Sequence, residues 1–124
     1  MSHYKEALEF REAMGQVSGV LVGHVASMQY DLIAEEFLEF TESFAGALHY
    51  KTPRAREEAL KELADLAYVC YQLAASCGWD LDRALYRVHD SNMSKLVDGK
   101  PLKRDDGKVL KGPNYKKPDL SDLV

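Results

Sequence analysis

Apolar residues recur along this chain at helical spacing, and nowhere do they alternate with period two for long enough to make a strand. Ala7, Phe10 and Met14 mark a first helix over His3 to Met14, which Gly15 can end. Residues 16–30, QVSGVLVGHVASMQY, place two glycines among β-branched residues and read as a loop or a broken helix. From about Ser27 a long helix follows, with Ile33, Phe37, Phe40 and Phe44 at 4-3-4 spacing on one stripe. Gly46, His49 and the Lys51-Thr52-Pro53 break mark its end. Thr52 can cap the next helix and Pro53 suits its first turn. That helix runs to about Cys77 and stops at Gly78, and Asp80 can cap a further one through about Leu96. After Val97 the stretch DGKPLKRDDGKVLKGPNYKKPDL is rich in Gly, Pro, Asp and Lys, and reads as turns or a short hairpin. The pattern predicts an all-α fold, a four- to five-helix bundle with an irregular C-terminal arm. Its division is 1–97 for the helical domain and 98–124 for the arm.

Composition narrows the picture. A chain of 124 residues, 46% hydrophobic, fits one globular domain. It has no apolar run of about 18 residues, which argues against a membrane span. The opening MSHYKEALEF lacks the apolar segment of a secretory leader, so a cytoplasmic location is expected. Cys70 and Cys77, two turns apart on one predicted helix, would sit about 10 Å apart, too far for a disulfide. Residues 1–90 carry a net charge of −7 and residues 91–124 a net of +3. An acidic body with a basic tail suits a metal–phosphate ligand held between them. It suits duplex nucleic acid poorly, because no groove-reading motif is present.

Four carboxylates carry most of the chemical information: Glu36 and Glu39 on the second helix, Glu62 and Asp65 on the third. Each pair is spaced i, i+3, so its members lie about 60° apart on one helix face. An acidic helix face by itself is usually just solvated. Two such pairs on sequential antiparallel helices would bring four like charges together, which is tolerable only around a cation. Mg²⁺ wants oxygen ligands of this kind, and Mn²⁺ can take its place. Glu35 and Glu42 point outwards from the stripe.

The third helix is unusual in another way. Between Leu63 and Trp79 its only formally charged residue is Asp65, which should therefore be paired or metal-bound. So apolar a helix is expected to be buried on most sides, within the chain or against a second copy. On the fourth helix Leu81, Leu85 and Val88 set a core face whose progression continues to Asn92 and Lys95. An amide and an ammonium there suit a sugar hydroxyl and a phosphate; a frayed, wet helix end would also account for them. His24, His49 and His89 share no ligand spacing, and no Walker loop, GxGxxG or GxSxG is present. A metal-dependent enzyme acting on a phosphorylated substrate is the reading these residues support.

EEFLE (Glu35–Glu39), ELADL (Glu62–Leu66) and SNMSKL (Ser91–Leu96), followed by DGKVLKGPNYKKPDL, resemble the MazG-like all-α nucleoside triphosphate pyrophosphohydrolases. The long arm is closest to small phage and bacterial members of the phosphoribosyl-ATP pyrophosphohydrolase-like type. The resemblance spans roughly residues 30–120. It implies hydrolysis of a (deoxy)nucleoside triphosphate, a purine dNTP in the first instance, to monophosphate and pyrophosphate by attack of activated water on the α-phosphate. It also implies a homodimer or dimer of dimers, and Mg²⁺ bound by Glu36, Glu39, Glu62 and Asp65. Glu39 would position the water, with Glu35 as an additional ligand or catalytic group. Asn92 and Lys95 would contact sugar and phosphate, while Lys108, Lys111 and Tyr115 belong to the arm that would close on the nucleotide. A phage-encoded member would work in the host cytoplasm. Within the superfamily the alternatives are a phosphoribosyl-ATP pyrophosphohydrolase or a dUTPase-like enzyme. From a different class, a non-catalytic helical dimerisation module would require the carboxylate set to be incomplete.

Overall fold

The computed structural model describes residues 2–124. Among them run four α-helices: α1 (His3–Ala13), α2 (Gly23–Tyr50), α3 (Pro53–Cys77) and α4 (Leu81–Met93). A single 3-10 turn follows at Ser121–Leu123. No strand forms among the described residues; isolated bridges join Val97 to Lys100 and Lys103 to Val109. The fold is all-α, as the periodicity predicts. The chain forms two compact units, Met1–Trp79 and Asp80–Val124.

Three of the four helix starts follow local chemistry. The Ser2 hydroxyl accepts from the Lys5 amide, that of Thr52 from Ala55 at 3.1 Å, and the Asp80 carboxylate from Arg83 at 3.1 Å. Helix α2 is the exception. It begins at Gly23, four residues ahead of Ser27, and Val22 offers no side-chain cap, so no start signal existed to be read. Helix α3 ends as expected, with Gly78 in the left-handed region at φ 78°.

Helix α4 stops at Met93, short of Leu96. Ser91 donates its hydroxyl to the Lys116 carbonyl at 2.7 Å, and the Lys116 amide donates to the Ser94 hydroxyl at 2.9 Å. These bonds tie the returning arm to the helix end, and the chain turns there. Lys95 therefore lies beyond the helix, half-buried, and does not continue its core face. Asn92 is exposed rather than inward.

In the first unit α3 packs against both α1 and α2. The buried apolar residues here are small, Ala7, Ala59, Ala74, Ala75 and Cys77, which lets the backbones approach closely. The loop after α1 docks on the end of α3 through Gly19 N to Ala75 O at 3.0 Å and Val20 N to Ser76 O at 3.3 Å. A Cβ on Gly78 would stand 2.7 Å from the Gly19 carbonyl oxygen, so this junction needs glycine for space as well as for φ. Arg11, 1% exposed, spans the same region, its Nε donating to Val17 O at 2.7 Å and a terminal nitrogen to Gln72 Oε1 at 3.3 Å.

The expectation that α3 is buried on most sides does not hold within the described chain. Leu60 is 66% exposed and Leu63 46%, and on α2 Phe37 is 57% exposed. The α2 stripe is only partly covered, with Phe40 and Phe44 stacked at 5.6 Å beside α3. Cys70 and Cys77 are both free thiols, as their spacing requires. No helix among the described residues is long and apolar enough to cross a membrane.

An acidic cluster on α2 and α3

Glu36 lies near the middle of α2, and Glu62 and Asp65 near the middle of α3. Packing of the two helices brings one oxygen from each carboxylate to within 4.8 Å of the others. Two oxygens of these residues, Glu36 Oε2 and Glu62 Oε2, are buried with no hydrogen-bond partner. A buried carboxylate oxygen without a donor is costly, and a cation relieves that cost. The donors are all hard carboxylate oxygens gathered in one place, the donor set that Mg²⁺ or Mn²⁺ prefers, so the residues fit such an ion.

Repulsion in the cluster appears in the acidity of Glu36. Burial raises its pKa above the usual glutamate value, followed by the charge and hydrogen bonding of Glu39 and then by the charges of Asp65 and Glu62. Glu39 is thus an immediate neighbour of Glu36, but its side chain is exposed and stands outside the three-oxygen set. Glu35 is exposed on the outer side of α2, again outside the set. A basic residue completes the cluster, one that the motif reading passes over. Lys61 places Nζ 2.6 Å from Asp65 Oδ2 and 3.5 Å from Glu62 Oε1. Asp65, the one charged residue between Leu63 and Trp79, is therefore ion-paired, and its i, i+4 spacing from Lys61 was a readable signal. The hydrogen bond to Asp65 leads the influences that hold the Lys61 ammonium above the ordinary lysine pKa.

The remaining residues singled out in the sequence belong to the second unit. Asn92 is exposed and Lys95 half-buried; their backbones join through Lys95 N to Asn92 O at 3.2 Å. In the arm Lys111 lies over the Tyr115 ring at 4.8 Å, a cation–π contact. Lys108 is exposed, its amide donating to Asp106 Oδ1 at 3.1 Å.

On the side of α3 that faces α1, the two helices line an apolar cavity of about 290 Å³, with His3, Glu6, Ala7, Ala64, Tyr68 and Tyr71 among its walls. The rings of His3 and Tyr71 meet edge-on at 5.7 Å, and His3 Nδ1 lies 3.2 Å from Glu6 Oε1. Tyr68 and Tyr71 stand around this cavity because α1 packs against α3, a contact that periodicity does not give.

The phosphoribosyl-ATP pyrophosphohydrolase family model matches residues 6–92. No curated protein matches the chain. The chain belongs to the phosphoribosyl-ATP pyrophosphohydrolase family, within the MazG-like all-α nucleoside triphosphate pyrophosphohydrolase superfamily. It is accordingly a nucleotide pyrophosphohydrolase.

Proposed function

We propose that this family member hydrolyses a (deoxy)nucleoside triphosphate, in the first instance a purine dNTP, to the monophosphate and pyrophosphate in a Mg²⁺-dependent reaction. The observation that carries the reading is the convergence of Glu36, Glu62 and Asp65 within 4.8 Å, two of them with an orphaned buried oxygen. Glu36, Glu62 and Asp65 would hold the ion, with Glu39 as the fourth carboxylate. Bound there, Mg²⁺ supplies neutralisation of phosphate charge and a lower pKa for a water in its shell.

The chain's own residues have distinct tasks. Glu39, exposed and adjacent to Glu36, can accept a proton from water and orient that water towards the α-phosphorus for in-line attack. Glu35, on the outer side of α2, would act on Glu39 or the water rather than on the ion. By the family resemblance, Lys95, Lys108 and Lys111 would offer positive charge to the leaving pyrophosphate, Asn92 an amide to the sugar, and Tyr115 a ring already engaged by Lys111. In this scheme residues 1–97 form the catalytic domain and 98–124 the arm that closes on the nucleotide. The cavity between α1 and α3 supports a seat for the base, since Tyr68 follows Asp65 by one turn, about 4.5 Å along the axis. The enzyme would work as a homodimer or dimer of dimers.

A second reading, phosphoribosyl-ATP as substrate, is favoured by the family match itself. Both substrates break the same bond between α- and β-phosphates. The test is pyrophosphate release from a panel of dNTPs, NTPs and phosphoribosyl-ATP with Mg²⁺, with EDTA as control. EDTA-sensitive turnover of a purine dNTP supports the first reading, and turnover of phosphoribosyl-ATP alone supports the second. Silence across the whole panel rejects both.

A further inference from the structure

We infer that Lys61 is a mobile counter-ion of the acidic site, competing with a divalent ion for Asp65 and Glu62 and passing its charge to a substrate phosphate once that ion is bound. The inference rests on the metal reading of the cluster and goes beyond it, to a residue outside the carboxylate motif.

Three observations converge on Lys61. Its ammonium contacts two of the three ligand residues at once, 2.6 Å from Asp65 Oδ2 and 3.5 Å from Glu62 Oε1. A divalent ion on the ligand set would bind the carboxylates of the same two residues, so ammonium and ion contend for the same negative groups. The neutralisation is also lopsided. Lys61 serves the outer oxygens, while Glu62 Oε2 and Glu36 Oε2 keep no partner. A single positive charge at the rim is a weak match for Glu36, Glu39, Glu62 and Asp65 together, and a doubly charged ion among them outcompetes it. Finally, the lysine side chain is 67% exposed whereas that of Glu62 is 18% exposed. The ammonium can leave into solvent at little cost, but the carboxylate cannot follow it.

A phosphate oxygen bound to an ion on the ligand set would come close to Asp65, since both would be ligands of one ion. Lys61 already reaches Asp65, so a small side-chain rotation carries Nζ to that phosphate. On its other side Lys61 lines a groove of about 480 Å³ with Arg54, Glu57, Glu58 and Glu62. Arg54 is engaged by Glu58 at 3.3 Å, which leaves Lys61 as the cation of this groove that faces the ligand set. The plain alternative is an ordinary i, i+4 surface pair, which would stabilise the helix slightly and do nothing else.

Opposite effects on two ligands separate these possibilities. Mn²⁺ binding to the full-length protein is measured by titration calorimetry for wild type, Lys61→Met, Lys61→Arg and Asp65→Asn, each checked for helicity by circular dichroism. Retention of inorganic pyrophosphate is then measured on the Mn²⁺-loaded proteins. Lys61→Met should bind Mn²⁺ about two- to fivefold more tightly, because a weak surface competitor is gone. The same substitution should weaken pyrophosphate about five- to tenfold, the loss of one charge-assisted contact. Lys61→Arg should stay near wild type in both. Unchanged or weaker Mn²⁺ binding in Lys61→Met overturns the competition, and unchanged pyrophosphate retention overturns the transfer to phosphate. If wild type binds Mn²⁺ no better than Asp65→Asn, the cluster is not a metal site, and that failure is distinct because it appears before Lys61 is altered.

Discussion

A carboxyl group hemmed in by three others holds its proton more tightly, and Glu36 is in that position. Burial first, then Glu39, then Asp65 and Glu62 raise its pKa. The folded state therefore binds this proton more readily than the unfolded chain does. The stability tied to it is fully present below the ordinary glutamate value and is lost as pH rises through the raised one. Without a divalent ion, Glu36→Gln should raise the melting temperature near neutral pH by about 2–4 °C, the gain shrinking as the pH is lowered. Added Mg²⁺ should stabilise wild type and leave the variant almost unmoved; an equal response in both would remove Glu36 from the ligand set. The i, i+3 carboxylate pairs were legible in the sequence because the helical repeat alone puts them on one face. The difference between a half-buried Glu36 and an exposed Glu39 was not, since it depends on how α2 is rotated against α3. Lys61 was legible by its spacing from Asp65, yet a motif made of acids directs attention away from a base.

At the scale of elements, starts and stops were readable wherever a side chain or glycine specifies them. Ser2, Thr52 and Asp80 cap, and Gly78 ends α3. The α2 start and the α4 end escaped because neither is specified locally: Val22 caps nothing, and the α4 end is fixed by Lys116, more than twenty residues along the chain. Two glycines illustrate the same contrast. Gly78→Ala puts a Cβ in the left-handed region and against the Gly19 carbonyl, and should cost about 1–3 kcal/mol in urea unfolding. Gly46, inside α2, has nothing within 4 Å of an added Cβ. Gly46→Ala should be neutral or stabilising by up to about 1 kcal/mol. If both substitutions had the same effect, the docking of the 14–22 loop on α3 would not be as described.

At the scale of the molecule, the interior is too small for the sequence. The buried apolar residues are alanines, Cys77 and Leu123, while Phe37, Leu38, Phe44, Leu48, Leu60 and Leu63 remain exposed. A second copy covering these faces of α2 and α3 would account for them, and light scattering at micromolar concentration should then give at least the dimer mass. Substituting Phe37 and Leu60 together with Lys should shift that mass towards the monomer; a monomeric wild type would leave the exposed stripe without a role. The all-α fold was legible because every long segment repeats at helical spacing. The charge-poor stretch from Leu63 to Trp79, read as buried within the chain or against a second copy, has an open side in the single chain, because periodicity identifies an apolar face without saying which chain covers it. If the carboxylates of α2 and α3 carry Mg²⁺-dependent release of pyrophosphate, neutralising them must stop it. Pyrophosphate release is to be measured for wild type, Glu39→Gln and Asp65→Asn, at saturating Mg²⁺, on the best substrate of the panel. Wild type should turn over, and each variant should lose about 10²-fold or more with helicity retained. Undiminished turnover in both variants would remove these carboxylates from the reaction.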